Sequence, residues 1–96
     1  MELLVSYDVS TETKAGQRRL RKVATICQSY GQRVQKSVFE CSLDERQHTL
    51  LVDHLLRTID KEVDSLRIYR LREPREQHVK AYGVDQRYDP RGPLIV

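Results

Sequence analysis

The sequence predicts a single α/β sandwich whose sheet is covered by helices on one face, and three observations lead there. Short β-prone runs alternate with longer helical stripes in the order strand, helix, strand, helix, strand. The chain has 96 residues, 39% of them hydrophobic, which suits one core and leaves no room for a second. Neither an internal repeat nor a spare helix is available to cover the other sheet face. A second copy of the chain is the simplest cover, so a homodimer is expected.

Glu2–Asp8 reads as the first strand, because Leu3, Val5 and Tyr7 alternate with Leu4, Ser6 and Asp8 and apolar residues occur on both sides. A polar connection over 9–13 leads into a helix spanning about Lys14–Tyr30. Its stripe is Leu20, Val23, Ala24, Cys27 and Tyr30, and Gly31 supplies the stop. The run 34–41, with Val34, Val38 and Phe39, is the next β-rich segment. Ser42 with Glu45, or equally Asp44 with Gln47, gives a capping box for a second helix running to about Ile59, with Leu51, Val52, Leu55 and Ile59 inward. Asp64-Ser65 opens a third strand over 66–71, which Arg72-Glu73-Pro74-Arg75 breaks, and 78–82 is a candidate fourth. Gly83, Pro90, Gly92 and Pro93 mark irregular chain before Leu94-Ile95-Val96, which can add a strand to a sheet edge of its own or of a partner subunit. Strictly this order is βαβαβ plus a terminal strand. With 33–41 folded as a hairpin arm or bulged strand, it becomes a ferredoxin-like βαββαβ sandwich with an additional C-terminal strand. That is one domain over 1–96, in which 83–96 is a tail or edge strand.

Composition narrows the function classes. The chain carries 17 Lys and Arg against 14 Asp and Glu, a net charge of +3 that permits nucleic-acid binding without requiring it. Cys27 and Cys41 lie in apolar patterns with no CxxC or Cys/His ligand spacing, so buried reduced thiols and a cytoplasmic location are expected. No basic leader, cleavage site or membrane-length apolar run is visible, which predicts a protein neither secreted nor membrane-bound. Walker, GxGxxG, GxSxG and HExxH motifs are missing, and His48, His54 and His78 share no ligand spacing.

The least random feature is the charge distribution. Lys14, Arg18, Arg19, Arg21, Lys22, Arg33 and Lys36 fall in a stretch with no Asp or Glu between Glu12 and Glu40. Arg18, Arg21 and Lys22 share the helix face opposite the apolar stripe, with Arg19 beside them, where phosphates could be met; a solvated helix face is the alternative. Asp8 is in register with Leu4 and Ser6, so its carboxylate belongs to the helix-free sheet face, near the expected dimer surface. A single Asp there would ordinarily serve a turn. Two copies across a two-fold axis would suit Mg²⁺, which takes one or two carboxylates, keeps waters and can activate one against a phosphodiester. Tyr7 and Phe39 could stack bases, although core packing is the more ordinary fate of each.

Four segments in this order, Val5-Ser6-Tyr7-Asp8-Val9, Arg18-Arg19-Leu20-Arg21-Lys22-Val23, the run 30–41 and Asp64-Ser65-Leu66-Arg67-Ile68-Tyr69, resemble the CRISPR-associated Cas-two family, in particular the branch accompanying subtype I-C systems. The resemblance implies a symmetric homodimer of ferredoxin-like subunits that bridges two dimers of the Cas-one integrase while new spacers are captured. It also implies a metal-dependent endonuclease acting on RNA or double-stranded DNA. Carried over position by position, it makes Asp8 the Mg²⁺ ligand facing its mate across the dimer axis, with Tyr7 beside it and Phe39 lining the cleft near Asp8. Arg18, Arg19, Arg21 and Arg33 would hold phosphates, and Lys22 and Lys36 belong with them by charge. Two alternatives stand beside this. One is a non-catalytic DNA-binding scaffold of the integrase complex, in which Asp8 is structural. The other is an interferase-like toxin ribonuclease of similar fold, acting without an integrase partner.

Overall fold

Period-two alternation in β1 (Glu2–Asp8) sorts its side chains onto two surfaces: Leu3, Val5 and Tyr7 are buried, Leu4 and Ser6 are partly covered, and Asp8 is exposed. A computed structural model describes residues 1–84. After β1 come α1 (Lys14–Tyr30), β2 (Gln32–Gln35), β3 (Val38–Ser42), α2 (Glu45–Thr58), β4 (Ser65–Leu71) and the single turn α3 (Arg75–His78). The four strands form one antiparallel sheet in the order β2-β3-β1-β4. With α1 and α2 each linking two strands, this is the ferredoxin-like arrangement.

Both helices begin at side-chain caps. Thr13 accepts from the Gly16 amide at 3.0 Å, and Asp44 and Gln47, the second of the two boxes legible in the sequence, satisfy each other's backbone amides. Gly31 ends α1 with an extended backbone, its N–H on Cys27 O at 2.9 Å. A close approach is what demands glycine here: a Cβ would lie 2.4 Å from both Cys41 Sγ and Glu40 O. The core gathers Leu3, Val5 and Tyr7 from β1, Val23, Ile26 and Cys27 from α1, Phe39 and Cys41 from β3, and Leu51 and Leu55 from α2.

The reading in which 33–41 folds as a hairpin holds: β2 and β3 are its arms, Lys36 and Ser37 form the turn, and a register irregularity between Arg33 and Gln35 bends the first arm. One expectation is corrected. The candidate strand over 78–82 does not form. The chain makes α3 instead, and Arg75 fastens that turn to the sheet through Glu2 at 3.6 Å and Glu40 at 3.5 Å. The expected strand at Leu94-Ile95-Val96 lies outside the described residues.

Candidate nucleic-acid and metal site

Asp8 ends β1 on the helix-free face. Its register partner in β4 is Ser65, while Ser6 pairs with Arg67 and Leu4 with Tyr69. Directly paired residues of an antiparallel ladder share a face, and diagonal neighbours lie about 7–8 Å apart. Asp8 therefore stands beside Ser65 and diagonal to Arg67, whose Nη1 donates to the Tyr69 hydroxyl at 3.0 Å. On the other side of β1 the hairpin turn reaches the same end of the sheet, where Ser37 O accepts the Tyr7 amide at 3.1 Å and Lys36 is exposed.

Tyr7 and Phe39 do not share the surface of Asp8. Their rings stack on each other in the helix-covered core, centroids 6.2 Å apart and 23° between planes, and Phe39 is fully buried. The expectation that Phe39 lines a cleft near Asp8 is thus corrected by the pleat: residues of opposite parity point to opposite faces. Arg33 follows Phe39. Its guanidinium lies 5.2 Å from the ring centroid, a cation–π contact, and its Nε and the Tyr7 hydroxyl are both buried with no hydrogen-bond partner among the described residues. Burial pushes the Tyr7 phenol above its ordinary pKa, and the nearby Arg33 opposes that rise.

Arg18, Arg21 and Lys22 form an exposed ridge on α1, and none of them, nor Arg33 or Lys36, makes an ion pair among the described residues. The ridge belongs to the helix layer and Asp8 to the opposite face of the sheet, so the fold does not place the two on one surface. Arg19 is separate. Its Nε donates to Asp64 Oδ2 at 2.8 Å and its Nη2 to Oδ1 at 3.3 Å. The Asp64 carboxylate also accepts the Ser10 amide at 3.0 Å and the Asp60 amide at 2.8 Å. The Arg19 guanidinium first, and these backbone amides with it, hold the Asp64 carboxyl below its ordinary pKa against the effect of burial.

The family model described as CRISPR associated protein Cas2 matches residues 1–79. The chain belongs to the Cas2 family. A relative from Moorella thermoacetica, named CRISPR-associated endoribonuclease Cas2 1, is 56% identical over 96 residues, covering 100% of both chains. Another, from Halalkalibacterium halodurans and named CRISPR-associated endonuclease Cas2, is 50% identical over 95 residues and 99% of each. The crystal structure of Streptococcus pyogenes Cas2 at pH 6.5 superposes with a TM-score of 0.78 at 47% identity, covering 86% of this chain and 100% of that one. The Cas2 family of CRISPR-associated nucleases is thus where both sequence and fold place the molecule. No helix among its described residues is long and apolar enough to cross a membrane.

For a Cas2 chain, three residues of this surface escaped sequence reasoning. Arg67 and Tyr69 sit on the Asp8 face by register, a placement that period-two counting along β4 could have supplied. Arg75, which neutralises the buried Glu40, looked only like part of a strand breaker. Nothing local in the sequence announces its partners.

Proposed function

We propose that the chain is a homodimeric, Mg²⁺-dependent endonuclease of the CRISPR adaptation apparatus, cytoplasmic, acting on RNA or double-stranded DNA, and that the same dimer bridges two dimers of the Cas-one integrase. The observation that carries this reading is the exposed Asp8 carboxylate on the helix-free face, beside Ser65 and diagonal to Arg67. Its oxygens are hard donors of the kind Mg²⁺ accepts, with waters completing the shell. No group of three His, Cys, Asp or Glu able to hold a metal occurs among the described residues. On this reading Asp8 is one half of a pair, with the second carboxylate from the other subunit. When bound, Mg²⁺ supplies Lewis-acid polarisation and a water of lowered pKa. The chain's own residues do the rest: Arg67 and Lys36 offset phosphate charge at the Asp8 end of the sheet, and the ridge of Arg18, Arg21 and Lys22 tracks the backbone. Tyr7 and Phe39 serve by packing, holding β1 from beneath.

That Asp8 belongs to no group of three metal-ligating side chains among the described residues also favours a second reading, a non-catalytic scaffold in which the basic ridge matters and Asp8 is structural. Labelled duplex DNA and single-stranded RNA, incubated with wild type and Asp8→Asn in Mg²⁺ or in excess chelator, separate the two. The expected result is Mg²⁺-dependent cutting that Asp8→Asn abolishes while duplex binding survives. Equal cutting by both proteins, or none by either, would leave the scaffold reading in front.

A further inference from the structure

Asp64 is the best-satisfied buried charge among the described residues. Its side chain is 0% exposed, and it takes four donors: two from Arg19, one from the Ser10 amide and one from the Asp60 amide. These donors belong to three separate pieces of chain that converge behind Asp8. Ser10 lies on the chain just leaving Asp8. Asp60 and Asp64 belong to the chain entering β4, whose first residue, Ser65, is the register partner of Asp8. Arg19 belongs to α1. A fourth contact closes the arrangement, since Gly16 packs so tightly on the Ser10 carbonyl that a Cβ would lie 2.0 Å from its oxygen.

We propose that Arg19 and Asp64 are a positioning pair for Asp8, set apart from the phosphate ridge that Arg19 adjoins in sequence. The inference rests on the reading of Asp8 as the reactive carboxylate. A guanidinium that forks across a fully buried carboxylate has its Nε and one Nη committed, and removing it would leave an uncompensated buried charge. Its work is geometric. Through Asp64 it fixes the Ser10 amide, hence the direction in which the chain leaves Asp8, relative to both β4 and α1. Arg18, Arg21 and Lys22 make no ion pair among the described residues and are exposed toward phosphates.

The test compares Arg19→Gln, Arg19→Lys, Asp64→Asn and, as a ridge control, Arg18→Gln, in the full chain. Binding of a labelled DNA duplex is measured across a salt series, cleavage is measured at saturating substrate, and hydrogen exchange is measured at the Ser10 amide. A lost phosphate contact lowers the slope of log K against log salt by about 1, which is the result expected for Arg18→Gln. For Arg19→Gln the expected result is an unchanged slope, faster Ser10 exchange and a fall in kcat of about 10²-fold, the scale of a misplaced catalytic group. Asp64→Asn should lower kcat likewise, with binding unchanged or tighter because Arg19 is released. A drop of about 1 in slope for Arg19→Gln with slow Ser10 exchange retained, or wild-type kcat in Asp64→Asn, would overturn the proposal. Should Arg19→Gln fail to fold, Arg19→Lys carries the comparison: a phosphate ligand would be rescued by the retained charge, whereas a fork would not. If the wild type itself cuts nothing, the nuclease reading fails alone, and the slope and Ser10 exchange still decide where Arg19 is engaged.

Discussion

Burial sets the chemistry of the two cysteines. Removal from water pushes the Cys27 thiol up to about 12 and the Cys41 thiol to about 11, and both residues are 0% exposed. The reactive thiolate is therefore a fraction of about 10⁻⁴ or less at neutral pH, and neither sulfur can be reached from solvent. A disulfide reagent added to the native protein at pH 7 is expected to label neither cysteine within minutes and both after denaturation in urea. Labelling of either in the native state at the rate of a free thiol would contradict that burial. Legibility at this scale followed the range of the interaction. The exposure of Asp8 could be counted from the alternation of β1 alone. The engagement of Arg19 could not, because its partner is 45 residues away and an arginine within a basic run reads as one more cation.

At the scale of elements, α1 is seated by the contact of Gly16 on Ser10 as much as by its apolar stripe. Gly16→Ala puts a methyl group against a backbone carbonyl that cannot swing aside. The helix gains propensity from alanine but loses its seat, and overpacking of this kind costs about 1–3 kcal/mol. The expected outcome is an unfolding free energy lower by that amount, read as a lower urea midpoint at unchanged m; a midpoint equal to or above the wild type would show that the loop yields freely. The helices were legible because capping residues and stripes are local signals. The hairpin over β2 and β3 was less so, for its turn, Lys36-Ser37, carries neither glycine nor asparagine to punctuate the run. The false strand over 78–82 has the same origin. Alternating polar and apolar residues satisfied a β pattern, while the actual course of the chain is set by Arg75 reaching two carboxylates on the sheet.

The described residues form a sandwich with one face closed by α1 and α2 and the other carrying only the α3 turn, held at Glu2 and Glu40. On that second face a groove of about 490 Å³ opens between the sheet and the segment after α3, lined by Leu4, Val38, Glu40, Arg75, Lys80 and Tyr82 among others. Tyr69, 44% exposed, lies on the same face. A half-apolar sheet surface of this sort is what a second copy of the chain would cover, and the proposed dimer brings two Asp8 carboxylates toward one axis. That pairing is the centre of the account, because one carboxylate per chain makes a poor metal site and two make an adequate one. Its most direct test is the stoichiometry of Mn²⁺, standing in for Mg²⁺, bound by the native protein and by Asp8→Asn. One ion per two chains, lost in the variant, is the predicted result; one ion per chain, or binding undiminished in Asp8→Asn, would contradict it.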